Sequence, residues 1–241
     1  MKYAIFSDIH GNLEAYQAVL DLLKKEENLK YYCVGDIVGY GADPSACIEI
    51  TKSLNPTIVG GNHDWAAAGL TSTEYFNPYA QKAVLWTASV LTEEEKDWLR
   101  SLRLTYEERD MMLVHGTLME PASFKYVFDL NTAYSMMSLM KTQVGFIGHS
   151  HTPAVFTLDK DKIQYATNPR FEVQEGKRYL VNVGSVGQPR DGDRRAAFCI
   201  WDKRAGVMEI RRVEYDIGKA QEKILGAGLP SILAERLGKG R

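Results

Sequence analysis

All 5 histidines of this 241-residue chain fall in short segments rich in other metal-binding groups. The segments are Ser7-Asp8-Ile9-His10, Gly35-Asp36, Gly61-Asn62-His63-Asp64, His115-Gly116 and Gly148-His149-Ser150-His151. An unconstrained chain scatters some histidine over helices and tails, and here none is scattered. Asp8 and His10 alternate about Ile9, so a strand-like exit sends both side chains to one side. His149 and His151 repeat the arrangement about Ser150. Imidazole with carboxylate suits borderline divalent ions such as Mn²⁺, Fe²⁺ or Zn²⁺, and the lack of cysteine in these segments speaks against structural zinc. The candidate ligands are too many for one ion that keeps an open position. They suit two ions sharing a carboxylate, about 3.5–4 Å apart.

These segments need elements that bring them together, and the first half of the chain supplies strand and helix signals in alternation. Tyr3 to Ser7 is an apolar run that reads as a buried strand. Leu13, Tyr16, Val19, Leu20 and Leu23 have helical spacing. Tyr31 to Val34 and Thr57 to Val59 read as strands, and Asp43-Pro44 between them as a helix start. Trp65 to Leu102 reads as mostly helical, with a capping box at Thr92 to Glu95. Met111 to Val114 and Val144 to Ile147 return as strands around a helix from Asn131 to Lys141. From Ala154 to Glu214 the pattern becomes a run of antiparallel strands with hairpins at Lys160-Asp161 and Arg204 to Gly206. The tail from Asp216 to Leu237 reads as helical. Strands separated by helices argue for βαβ units. The expected fold is α/β, with two mixed sheets packed face to face and helices outside, a four-layer α/β/β/α sandwich. One domain over 1–241, with a helical insertion at about 65–102, is the simpler organisation. Asp8, Asp36, Asn62, His115 and His149 each follow a predicted strand almost at once, the edge where open α/β sheets bind ligands.

A net charge of -2 gives no basic face for a polyanion, so nucleic acid is disfavoured as a partner. Cys33, Cys47 and Cys199 form no CxxC pair and fit reduced thiols of a cytoplasmic protein. No signal peptide precedes the first strand-like run, and no apolar stretch approaches the length of a membrane span. An exposed antiparallel edge in the C-terminal sheet leaves room for a homo-oligomer.

In order and spacing, D-x-H at Asp8, G-D at Asp36, G-N-H-D at Asn62, the lone histidine His115 and G-H-x-H at His149 resemble the signature of the metallophosphoesterase (calcineurin-like) superfamily. Gly35 to Gly41 and Val183 to Arg190 resemble its small bacterial and archaeal phosphodiesterase-like branch. The resemblance implies that Asp8, His10 and His151 hold one divalent ion, that Asp36 bridges, and that Asn62, His115 and His149 hold the other. Manganese is the first expectation, with iron, zinc, nickel or cobalt as alternatives. His63 is implied to be catalytic, stabilising phosphoryl oxygens and protonating the leaving alkoxide, while a metal-bound hydroxide attacks in line. Two cations answer the physical demand of the reaction, neutralising an anionic ester and lowering the pKa of bound water. A histidine answers the need for a proton donor near neutral pH.

Arg190 follows a glycine-rich stretch after a predicted strand, where a guanidinium reaches a phosphate. A surface arginine in a turn is the competing reading. Tyr40, Phe124 and Tyr126 fall just after ligand segments, but an aromatic there more often packs in the core, so they stay outside the expected site. Asp64 reads as a loop former. The expected substrate is a small phosphodiester. Related phosphatases carry an arginine where this chain has Tyr40, which counts against phosphomonoesters and proteins, with a phosphomonoesterase or nucleotide pyrophosphatase as the alternative. A non-catalytic scaffold of this fold, like the retromer subunit, lacks the catalytic histidine that this chain has.

Overall fold

The computed structural model describes all residues, 1–241. In chain order its first half runs β1 (Lys2–Phe6), α1 (Leu13–Leu23), β2 (Leu29–Cys33), α2 (Pro44–Leu54), β3 (Thr57–Ile58), α3 (Asn62–Ala67), α4 (Pro78–Val90), α5 (Glu93–Arg100), β4 (Thr105–Glu108) and β5 (Met111–Val114). The second half runs α6 (Leu130–Leu139), β6 (Val144–Ile147), β7 (Ala154–Asp159), β8 (Lys162–Ala166), β9 (Arg170–Glu172), β10 (Lys177–Asn182), β11 (Ala196–Asp202), β12 (Val207–Val213), α7 (Ile217–Gly226) and α8 (Ser231–Lys239).

Twelve strands make two six-stranded sheets, ordered β3-β2-β1-β11-β12-β9 and β4-β5-β6-β10-β7-β8. Both are mixed. Strands β1, β2 and β3 run parallel, as do β5, β6 and β10, while the remaining pairs are antiparallel. The strand period of two divides each face cleanly. Tyr3 and Ile5 of β1 point inward to meet Met111, Leu113, Val144 and Phe146 of the other sheet. Ala4 and Phe6 point outward, against Tyr16, Val19 and Leu23 of α1. Helix α6 covers the outer face of the second sheet through Met136 and Met137. The four-layer α/β/β/α sandwich is therefore the observed fold.

Helix ends follow local chemistry. The Asn12 side chain accepts from Ala15 N–H to start α1, and Thr92 and Glu95 close the expected capping box on α5. Asp43 departs from expectation, since it precedes α2 without capping it and its carboxylate instead receives Lys223 Nζ at 2.9 Å. Residues 65–102 hold parts of three helices, with a loop over 68–77. Leu91, Leu99 and Leu102 there join the core under the first sheet. Strands β4 and β9 escaped the sequence pattern because they are short edge strands with exposed, polar positions. Strand β10 is only half antiparallel, pairing parallel with β6 on its other side. The tail is two helices, broken at Gly228, whose φ of 71° is left-handed, and Pro230. The three cysteines are buried and free, and no helix is long and apolar enough to cross a membrane.

Candidate metal centre

The loops leaving β1, β2, β3, β5, β6 and β10 meet at one edge of the two sheets, and backbone hydrogen bonds lace them together. Asp8 N–H donates to Gly35 O at 2.9 Å and His10 N–H to Asp36 O at 3.0 Å. Val186 and Gly187 donate to Ser7 O and Asp8 O at 3.0 and 2.8 Å. The hub is Asp64. Its carboxylate accepts from the N–H groups of Asp36, Ile37 and Val38 at 2.8, 2.8 and 3.2 Å, and from Gly61 at 3.0 Å. Loop former was the right reading, but Asp64 shapes two loops at once. Asn182, which sequence reasoning missed, does the same for the histidine pair, donating to Gly148 O at 2.7 Å and Ser150 Oγ at 2.9 Å. Gly35 (φ 95°) has no room for a side chain, since a Cβ there would stand 2.7 Å from Gly61 N. A Cβ on Gly39 would strike the Nδ1 atoms of His63 and His10 at 2.6 and 2.8 Å.

Convergence of the candidate ligands has a different cause from the strand-like alternation expected for Asp8–His10 and His149–His151. Asp8, His10, Asp36, His149 and His151 all have left-handed backbones, with φ of 54°, 52°, 53°, 67° and 60°. Such residues cost about 1–2 kcal/mol each and persist only where surrounding structure enforces them. Here the loop lacing and the glycines do so.

Three imidazoles are locked in one tautomer. His10, His115 and His151 each place Nδ1 against a backbone carbonyl, Val38 O at 3.1 Å, Val34 O at 2.7 Å and Gln188 O at 2.6 Å. A carbonyl only accepts, so Nδ1 carries the hydrogen and Nε2 presents a lone pair to the interior. The Nε2 atoms of His10 and His151 then face each other at 3.0 Å. Asp8 Oδ1 lies 3.3 Å from His151 Nε2 and 3.7 Å from His10 Nε2. Asp36 Oδ2 stands between the groups, 3.2 Å from His115 Nε2 and 3.6 Å from His10 Nε2. Asp36 Oδ2, Asn62 Oδ1 and His115 Nε2 are buried with no hydrogen-bond partner. Ligand atoms of Asp8, His10 and His151, and of Asp36, His115 and His149, lie within 4.8 Å of one another. These donors fit divalent cations, since carboxylate oxygens and imidazole Nε2 atoms face one another across a buried space.

Proton affinities record the same tension. Burial works against charge on His115, yet Asp36 overrides it and lifts the ring to about 9. Burial likewise opposes ionisation of Asp36, but His115 and His63 hold it far below the carboxylate range. Burial pushes His149 and His151 well below the ordinary imidazole value. Burial and the Asp36 charge push Asp64 upward against its N–H donors.

His63 also stands within 4.8 Å of the His10 and Asp36 ligand atoms, but its Nδ1 is buried and tied to nothing. Burial pushes its pKa down to about 3, which keeps the ring neutral. It opens onto a cavity of about 540 Å³ that also touches Asn62 and His149. Tyr40, Phe124 and Tyr126 line this cavity, which corrects the expectation that they serve only the core. Tyr126 stacks on His149 at 3.8 Å and is 44% exposed, while Tyr40 and Phe124 are buried and serve both purposes. Phe76, 5.0 Å from the His63 ring, was invisible in the sequence because nothing marks its loop as part of the site. Arg190 is half-buried, with its guanidinium 5.4 Å over the Tyr40 ring and its N–H on His151 O at 3.2 Å. It lies beside the site rather than on an outer surface.

A sequence model described as the calcineurin-like phosphoesterase superfamily domain matches residues 1–206. The chain belongs to this superfamily. Calcineurin-like phosphoesterases are hydrolases of phosphoric esters that use divalent metals, and the clusters around Asp8 and Asp36 are this chain's candidate ligands. The chain is 42% identical to an uncharacterised protein of Methanocaldococcus jannaschii, over 99% of its own length and 98% of the relative's. The crystal structure of a metallophosphoesterase from Sphaerobacter thermophilus superposes with a TM-score of 0.87 at 35% identity, covering 100% of this chain and 99% of that one. A symmetrical bis(5′-nucleosyl)-tetraphosphatase of Nitrosospira multiformis is 28% identical over 48% of this chain and 43% of its own.

Because Asp64 satisfies four buried N–H donors, Asp64→Ala should destabilise the metal-free protein by about 3 kcal/mol or more in urea unfolding. A change under about 1 kcal/mol would remove Asp64 as the hub of the site.

Proposed function

We propose that this calcineurin-like phosphoesterase hydrolyses small phosphodiesters at a pair of divalent cations, with His63 as general acid. Asp8, His10 and His151 hold one cation, and Asn62, His115 and His149 the other. Asp36 bridges. The observation that carries this reading is the buried convergence of His10 Nε2 and His115 Nε2 on Asp36 Oδ2, which has no hydrogen-bond partner. Asp36 suits a bridge because Oδ1 is fixed by His63 N–H at 2.9 Å, leaving Oδ2 facing His10 and His115 together. Bound there, two divalent ions supply charge neutralisation and a nucleophile from water near neutral pH. Manganese is the leading choice, although iron, zinc, nickel and cobalt accept the same donors.

The chain's own residues supply the rest. The cavity walled by Phe76, Phe124 and Tyr126 receives the organic part of the ester and keeps water from the leaving group. Arg190 pairs with a phosphoryl oxygen. His63 is free to carry its proton on either nitrogen, because no carbonyl fixes its tautomer. A phosphoryl anion against the ring raises its proton affinity from the low value of the empty cavity, and the ring then delivers that proton to the departing oxygen. The cytoplasm is the proposed location. Likeness to the Nitrosospira tetraphosphatase supports cleavage of a nucleotide phosphoanhydride as the second reading.

Elemental analysis of protein prepared without chelator should find two divalent ions per chain, and Asp36→Asn should lose at least one. A single ion, or a content indifferent to that change, contradicts the bridge. His63→Ala should keep its metals and lose about 10²-fold or more turnover on alkyl esters, and far less on bis(4-nitrophenyl) phosphate, whose leaving group needs little protonation. Equal losses on both would remove His63 as the acid.

A further inference from the structure

Gln188, in the loop after β10, is a buried amide, 1% exposed, whose two ends are treated differently. Arg190 donates twice to its Oε1, from Nε at 3.2 Å and from Nη2 at 2.8 Å. A guanidinium has only donors, so the atom facing it is the oxygen. That choice fixes the other end. Gln188 Nε2 is a donor buried with no partner, a state that works against stability.

Nothing but Arg190 repays this orphaned donor, because the other contacts of Gln188 are made by its backbone. Its N–H donates to Ser185 Oγ at 2.8 Å, and Ser185 Oγ donates to Asp8 O at 2.8 Å. Its carbonyl receives His151 Nδ1 at 2.6 Å. Any residue at this position keeps those bonds, and methionine has similar length with no donor to orphan. A carboxylate is not equivalent either. Arg195 pairs with Asp193 at 2.6 Å and Arg212 with Asp191, so the neighbouring arginines are neutralised. Arg190 is in no ion pair and meets only a neutral oxygen. Held there, its guanidinium lies 5.4 Å over the Tyr40 ring, which stands 4.5 Å from the His63 ring and 4.6 Å from the His10 ring. Glutamate would hold the fork in the same place and cancel its charge.

We infer that Gln188 is a positioning residue for the substrate, whose Oε1 aims Arg190 across the Tyr40 ring and leaves its whole charge for an anion at the site. The inference rests on the reading that gives Arg190 a phosphoryl oxygen. Gln188 then serves the site twice, orienting His151 through its carbonyl and Arg190 through its side chain. Only the second use requires glutamine.

Titration calorimetry of methylphosphonate into the Mn²⁺-loaded protein, with free Mn²⁺ held constant, tests this through binding alone. Arg190→Ala should weaken binding by about tenfold or more, as expected for losing one charged hydrogen-bonding partner. Gln188→Glu should come close to that loss, although it keeps an acceptor in place. Gln188→Met keeps the charge of Arg190 but frees its fork, and should cost about threefold or more. In the Arg190→Ala background Gln188→Met should cost nothing further, whereas a packing defect would persist there. Manganese content should match that of the unaltered protein in every variant, because the His151 contact is made by backbone. Additive losses, undiminished binding by Gln188→Glu, or a fall in manganese overturns the inference. Turnover of bis(4-nitrophenyl) phosphate in the same preparations separates it from the reading beneath it. Hydrolysis with an Arg190 effect and no Gln188 effect sinks only the inference. Gln188-dependent binding without hydrolysis sinks only the hydrolytic reading, and Arg190→Ala that binds undiminished sinks the phosphoryl role of Arg190 and the inference with it.

Discussion

Lone pairs facing lone pairs in a buried space are the constraint on which this structure turns. His10 Nε2 and His151 Nε2 meet at 3.0 Å, and Asp36 Oδ2 lies close to both His10 and His115 without a proton donor of its own. In a low-dielectric interior such an arrangement repels itself unless positive charge enters. His115 shows the demand directly, since the field of Asp36 pulls a proton onto a ring whose burial should expel it. Divalent ions would meet that demand by accepting these lone pairs as ligand bonds, each bringing more positive charge than a proton.

The rest of the molecule can be understood as what holds this repulsion in place. Five left-handed residues supply the convergence, and each is over-determined by bonds from a neighbouring loop. Asp64 gathers the second and third loops, and Asn182 fixes the fourth to the end of β10. The two sheets bring these loops together because their parallel strands deliver the chain repeatedly to the same edge. Strain at the site is thereby offset by apolar burial between and outside the sheets, where Tyr32, Phe146 and Phe198 are fully buried.

Much of this was legible in the sequence, for physical reasons. Short apolar runs ending in glycine, separated by helical periods, specify parallel strands whose loops gather at one edge, and the candidate ligand residues stand in those loops. The order of layers followed. What escaped lacked a local signal. Strands β4 and β9 are polar edges, so period-two alternation is faint. Tyr126 looked like core because sequence cannot separate an aromatic stacked on a buried histidine from one in a hydrophobic layer. Asn182 acts across a separation of more than thirty residues, which no motif encodes. The alternation argument for Asp8–His10 reached the right outcome by the wrong geometry, since left-handed turns, not a strand, aim the two side chains.

Electron paramagnetic resonance of the chelator-treated protein, titrated with Mn²⁺, tests the central claim most directly. A carboxylate shared between neighbouring ions should produce the spectrum of an exchange-coupled pair as the site fills, and Asp36→Asn should abolish the coupling. Signals from isolated ions alone at saturation, or no retained manganese, would show that these lone pairs do not converge on a dinuclear centre.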